Sequence, residues 1–160
     1  MLKSMSKHED HMTEACAIEI RTRGHQGKLI TEWMAVRGSK DGEPHRGQRL
    51  IDGVFVLDEP EDSDLGPKSD LKGRRVFVIQ SKAKPLGMYL MGQVLFSMRI
   101  LEKECGAKVM GSFAVCHEED VLMRKLLKEE DARCEVLVVH PEKISDNPDL
   151  PIVDKTRRRK

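Results

Sequence analysis

The chain has 160 residues, 39% of them apolar and 34% charged, which is the length of one compact core rather than two. Twenty-eight Lys and Arg against 27 Asp and Glu leave a net charge of +1, which excludes a globally basic nucleic-acid coat and leaves only local patches. Four scattered cysteines without a C-x-x-C exclude a zinc ribbon or a secreted disulfide scaffold and point to reduced thiols in a cytoplasmic protein.

Residues 1–8 read as a frayed start. Met1–His11 has no apolar core segment, so no signal peptide is expected. From Glu9 to Arg23 a helix is expected, with Met12, Ala15, Cys16 and Glu19 at helical spacing, although Ala17–Arg23 also alternates like a strand. Gly24 and Gly27 bracket a turn. Lys28–Val36 reads as a strand packed through Ile30, Trp33 and Val36, and Gly38 to Gly47 as a loop. Leu50–Leu57 is a second strand. The acidic stretch D-E-P-E-D-S-D-L-G over Asp58–Gly66 follows, a run that repels itself and stays solvated.

Arg74–Lys82 is a third strand. Pro85 fits the first turn of a helix over Leu86–Glu104 that is apolar on most sides, hence expected to be buried, with Gly106 as its C-terminal cap. That apolar stretch contains Gly92, Gln93 and Arg99 and is too short and too polar to span a membrane. Lys108–Cys116 is a fourth strand. Glu118–Glu130 is a helix with Leu122, Met123, Leu126 and Leu127 on one face, and Cys134–His140 a fifth strand whose continuous apolar run suits a sheet covered on both faces. A single α/β domain over 9–141 is expected, a mixed sheet flanked by helices, followed by a basic tail over 142–160.

Chemistry concentrates in two segments, Leu50-Ile-Asp-Gly-Val-Phe-Val-Leu57 and Arg75-Val-Phe-Val-Ile-Gln-Ser-Lys-Ala83. On a strand, residues two apart share a face, so Gln80 and Lys82 project together. If the two strands pair antiparallel, Asp52 at the start of one lies beside them. Polar side chains interrupting apolar strands at one shared end need a reason. Metal-assisted phosphodiester hydrolysis supplies one. A hard cation such as Mg²⁺ or Mn²⁺ takes the Asp52 carboxylate, the Gln80 amide oxygen and a backbone carbonyl, for which Ser81 is placed. Lys82 then orients the attacking water and stabilises charge on the phosphate. The plainer readings are a turn-capping Asp52 before Gly53 and a Lys82 whose ammonium ends in water.

The order helix, three strands, helix, strand, together with Ile51-Asp52-Gly53 and Gln80-Ser81-Lys82, resembles the PD-(D/E)xK nuclease superfamily over residues 9 to 116. That group includes restriction-endonuclease-like and Holliday-junction-resolvase-like proteins. The resemblance implies an α-β-β-β-α-β core, here with an extra helix and strand, and a metal-dependent nuclease acting on DNA, RNA not being excluded. It implies Asp52, Gln80 and Lys82 as the site, Glu14 as a supporting acid on the first helix with Glu19 as second choice, and Gln93 contacting substrate or metal-bound water. It also implies a possible homodimer. Gln80 departs from the family's usual acid, which fits either a weakened site or a catalytically inactive module binding nucleic acid or a protein partner. The 27 residues between Asp52 and Gln80 exceed a hairpin's need, and the acidic stretch accounts for them as an insertion that would repel DNA unless it points away.

Other candidates have plain readings. His8-Glu-Asp-His11 is a polar terminus sooner than a metal pair. Trp33 and Met88, Met91, Met98, Met110 and Met123 are core filling. Lys72, Arg74, Arg75, Lys82 and Lys84, with the Arg157–Lys160 tail, form a basic cluster able to grip phosphates or simply to keep the surface soluble.

Overall fold

The computed structural model describes residues 7–140. Its elements are α1 (Lys7–Thr22), β1 (Gly27–Val36), β2 (Arg49–Leu57), β3 (Arg75–Ser81), α2 (Met88–Lys103), β4 (Lys108–Cys116), α3 (Val121–Glu130) and β5 (Cys134–Val138). The five strands form one mixed sheet in the order β1-β2-β3-β4-β5. β1, β2 and β3 pair antiparallel, whereas β3, β4 and β5 run parallel through the α2 and α3 crossovers. The chain is thus an α/β domain, and β3 is the strand where the two pairing modes meet.

Each face of the sheet carries its own core. On one side Met12, Cys16 and Ile20 of α1 meet Phe55, Ile79, Phe113 and Val115. On the other, Leu90, Val94, Met98 and Leu101 of α2 and Leu127 of α3 meet Val54, Val56, Val76 and Val78. The α1 period of three and four residues is what the sequence spacing anticipates. Gly106 adopts φ +67 directly after α2, the left-handed turn that lets Ala107 N–H return to the Leu101 carbonyl at 3.0 Å, as its capping role requires. Asp120 caps α3 by accepting from Met123 N–H at 3.0 Å.

The register shifts between Met34 and Val36 of β1 and between Val76 and Phe77 of β3, and side-chain alternation also fails, in unbroken register, on β1 and β2 together. Ile30 and Trp33 face the same core, as do Ile51 and Val54, although three residues separate each pair. The ladder passes from Thr31 opposite Gly53 to Trp33 opposite Ile51, and Glu32 between them has φ +50. That irregularity reverses which face each strand shows beyond it. Gly53 has no side chain there because none fits: a Cβ would stand 2.7 Å from Thr13 Cγ2, 3.2 Å from Leu29 Cδ1 and 3.3 Å from Ile79 Cβ.

Several expectations are corrected. Pro85 does not open a helix: it bridges Glu118 in parallel, prolonging the β3–β4 alignment, and α2 starts three residues later with Gly87 as N-cap. α2 is not buried all round; Met88, Tyr89 and Phe96 are exposed, and so is Met110 of β4. On α3 only Leu127 is buried, Met123 is half-buried, and Leu122 and Leu126 face outward. β5 is an edge strand with Glu135, Val136 and Val138 half-exposed rather than a strand covered on both faces. Lys7 and His8 already belong to the first helical turn rather than to a frayed start. The acidic stretch is not simply solvated: Asp58 pairs with Arg75, Glu59 with Arg74 at 2.6 Å and Glu61 with Arg21 at 3.2 Å. Beyond it the connection folds back on β1, where Pro67 O accepts from Met34 N–H at 2.8 Å and Ser69 O from Trp33 Nε1 at 3.1 Å. The basic tail lies outside the described residues. No described helix is long and apolar enough to cross a membrane.

Gly53→Ala is expected to lower stability by about 1–3 kcal/mol, the cost of an overpacked methyl. Thr13→Ser, which removes the closest carbon but keeps the hydroxyl, should recover part of that loss in the Gly53→Ala background. Denaturant midpoints of the four proteins measure both terms.

Candidate functional site

The ends of β3, β4 and β5 lie at one edge of the sheet, because the three strands are parallel. The start of antiparallel β2 lies there too. Open α/β sheets expose ligands at the carboxyl ends of their strands. Here that edge carries Asp52, Gln80, Ser81 and Lys82.

The regular β2–β3 ladder ends at Gly53 opposite Ile79. Past that point Asp52 Oδ2 accepts from the Ser81 backbone N–H at 2.8 Å. The side chains of β3 then alternate. Gln80 enters the α2 layer, where its Nε2 donates to Ser97 Oγ at 2.8 Å. Ser81 enters the α1 layer, with its hydroxyl 2.8 Å from Thr13 Oγ1. Lys82 emerges on the Gln80 side with its ammonium 5.2 Å from the centre of the Tyr89 ring. Its own N–H continues the parallel pairing to Val115 O at 2.9 Å. Gln80 is 2% exposed, yet its Oε1 meets no hydrogen-bond donor, and neither does Oε1 of Gln93.

Burial pushes the Asp52 carboxyl up from the usual 3.8 to about 6. The charges of Glu9 and Glu32 raise it further, while the Ser81 N–H and the Lys82 ammonium pull it down. Glu9 reaches this edge from α1, where its Oε2 also accepts from Ala83 N–H at 3.3 Å. Glu32 is the β1 residue with φ +50. Asp10 belongs to the same acidic group: burial raises its carboxyl, and Glu32 raises it again. A buried carboxyl with a displaced titration, beside a lysine at a strand terminus, makes this edge the candidate site.

The sequence reading sets Asp52 facing Gln80 and Lys82 and gives Gln93 a contact with substrate or metal-bound water; in the structure Asp52 meets the Ser81 N–H, and Gln93 of α2 lines a cavity with Gln80. Glu14 lies elsewhere, exposed above a hollow shared with Arg21, Lys28 and Glu61. Glu19 pairs with Arg23 at 3.2 Å. The α1 carboxylate acting on Asp52 is Glu9, more than one helical turn before Glu14, and α1 packing on Gly53 sets that phase through Thr13. Glu32 is absent from the sequence reading. Its one signal was Ile30 and Trp33 proposed as packing partners three apart in a strand, a spacing that alternation forbids. The basic cluster is divided: Arg74 and Arg75 sit at the start of β3, paired with Glu59 and Asp58, and Lys82 and Lys84 at its end. Those ends are roughly 20 Å apart along seven residues of strand. The acidic stretch is anchored at the far end from Asp52. Among the described residues, no group of three or more His, Cys, Asp or Glu side chains is placed to hold a metal ion.

No family model, no curated protein and no solved structure matches this chain.

Because the folded carboxyl of Asp52 is raised, the folded state binds the extra proton between about pH 4 and pH 6. Stability therefore falls as pH rises through that window and stays lower above it. The cost of holding the charged form is at most about 3 kcal/mol. Asp52→Asn should unfold at higher temperature than wild type above pH 6, with the gain vanishing below pH 4, as thermal melts across pH would record.

Proposed function

We propose that the chain is a metal-dependent nuclease that hydrolyses phosphodiester bonds of DNA. On this reading the helix, three strands, helix and strand spanning Lys7 to Cys116 form a restriction-endonuclease-like core, α3 and β5 being additions. The observation that carries the reading is the Asp52 carboxylate fastened to the backbone of Gln80-Ser81-Lys82, with the Lys82 charge acting on it.

The donor set suits a hard cation with few protein ligands. Among the described residues, Asp52 accepts a hydrogen bond through Oδ2 alone. Mg²⁺ commonly binds through one or two carboxylates together with substrate phosphates and water. Asp52 and the Ser81 carbonyl would hold Mg²⁺ or Mn²⁺, which when bound polarises a phosphate and makes water a better nucleophile, whereas the Gln80 side chain turns into the α2 layer. Asp52 contributes the negative charge that the cation needs, and must be ionised to do so. Burial, reinforced by Glu9 and Glu32, keeps it short of full ionisation in mildly acidic solution. Lys82, steadied over the Tyr89 ring, neutralises charge growing on the phosphate. Ser81 and Thr13 hold the end of β3 so that these groups keep their relation.

One observation favours a second reading. Gln80 is uncharged and tied to Ser97, so the site has one anion fewer than the family pattern supplies. A module on the same fold that binds nucleic acid or a partner without cutting accommodates that.

The test is cleavage of labelled single-stranded, double-stranded and branched DNA with Mg²⁺ and with Mn²⁺. Cutting should require the metal, be abolished in Asp52→Ala and fall about 10²–10³-fold in Lys82→Ala. Absence of cutting by folded wild-type protein on every substrate moves the assignment to the binding module.

A further inference from the structure

Beside Asp52 and Lys82 lies a second feature that phosphodiester chemistry alone does not use. A cavity of about 420 Å³ opens between α2 and the start of β2, lined among others by Arg49, Gln80, Tyr89, Gln93, Phe96 and Ser97. Its volume is that of a small-ligand site. Tyr89 and Phe96, each 72% exposed, stand seven residues apart on α2 and so share one face, about 10 Å apart along the axis. Gly92 lies between them, and a Cβ there would meet nothing within 4 Å, so the space between the two rings is open.

The floor of the cavity is less apolar than its walls. Gln80 is almost fully buried and lines it, and the unpartnered oxygens of Gln80 and Gln93 both belong to residues of this lining. A buried acceptor without a donor costs free energy until something fills it. Turning either amide over exchanges an unpaired acceptor for an unpaired donor, and the demand for a polar partner remains. The occupant must therefore offer planar apolar faces to aromatic rings and hydrogen-bonding groups along its edge. An aliphatic side chain of a protein partner meets neither requirement, Phe only the first, and Trp or Tyr brings a single polar group to two amides. A nucleobase meets both. Arg49 at the rim, and Lys82 over the Tyr89 ring, place positive charge where the attached phosphates would run.

We propose that this cavity receives one unpaired base of a DNA strand, stacked against Tyr89 and Phe96 and held along its edge by the amides of Gln80 and Gln93. The inference rests on the reading of Asp52 and Lys82 as a phosphodiester site, and it narrows the substrate to DNA with an unstacked base next to the bond that is cut. Base pairing must be broken or absent for a base to enter.

The test measures binding apart from cutting. Fluorescence anisotropy compares a labelled 12-residue single strand, the same strand paired in a duplex, and an equally charged abasic sugar-phosphate 12-mer. Each is titrated into the full chain in EDTA and again in Ca²⁺. Wild type should bind the single strand about tenfold or more tightly than the abasic oligomer, the loss expected for one stacked base. It should also bind the single strand more tightly than the duplex. Gly92→Leu fills the gap and Phe96→Ala removes a wall, so both should bind the strand and the abasic oligomer alike. Phe96 is exposed, so its variant remains informative if Gly92→Leu fails to fold, and thermal melts establish which variants are native. Equal wild-type affinity for strand and abasic oligomer overturns the proposal. So does an undiminished base preference in folded Phe96→Ala, or no binding of any oligomer in either buffer. Metal-dependent cutting without base preference removes this inference alone, whereas base preference without cutting on any substrate removes the nuclease reading and leaves a base-binding cavity.

Discussion

The structure depends on how β3 ends. This strand is buried on both faces, pairs antiparallel with β2 and parallel with β4, and finishes in polar residues. Period-two alternation forces consecutive side chains into opposite layers. Gln80 is driven into the α2 core, where Ser97 answers it, and Ser81 into the α1 core, where Thr13 does. Neither core alone could satisfy both. What remains is the Ser81 N–H, released from the ladder past Gly53, and Asp52 takes it. The contact joins the start of β2 to the end of β3 and fixes where the only strongly raised carboxyl at this edge stands.

The arrangement runs against stability. Apolar residues at positions 52 and 80 would avoid burying a carboxylate and an amide oxygen without a partner. Three carboxylates of the edge, Glu9, Glu32 and Asp52, are close enough for their charges to act on one another, with Lys82 as the opposing charge. On the proposed reading, chemistry at the strand ends offsets that cost, whereas the exposed hollow on α3, lined by Glu119, Val121, Arg124, Lys125, Lys128 and Glu129, carries no such buried group.

The regular parts of this architecture were legible because they follow repeating patterns. Apolar runs and turn residues mark all five strands to within a few residues, and Gly106 marks the end of α2. Antiparallel pairing of β2 with β3 follows from the segments being adjacent in the chain, and it brings Asp52 to the Gln80-Ser81-Lys82 end. What escaped depends on exceptions to pattern. The φ of Glu32 cannot be read from a strand-like stretch, and that one torsion inverts the face of β1 and carries Glu32 toward Asp52. Glu9 replaces Glu14 because the rotation of α1 about its axis is set by Thr13 against the bare Gly53, a contact between residues forty apart in sequence. The exposure of Tyr89 and Phe96 was hidden by composition: a helix rich in Met, Leu and Phe reads as buried, although only one of its faces meets the sheet.

That second face of α2 bears on how the two halves of the site divide their work. Gln80 is the hinge between them. Its backbone belongs to the strand end that holds Asp52, and its side chain forms the floor beneath Tyr89, Gly92 and Phe96. An acid in its place would put a second negative charge in a nearly dry, aromatic-walled cavity, where desolvation opposes ionisation. An amide avoids that cost and keeps an acceptor directed at whatever fills the space. On the proposed reading, an amide rather than an acid at position 80 has a reason in its own surroundings: its side chain serves the cavity, while the next backbone N–H serves Asp52. On the proposed reading, the loss of one metal-binding charge and the gain of a base-reading edge come from the same substitution.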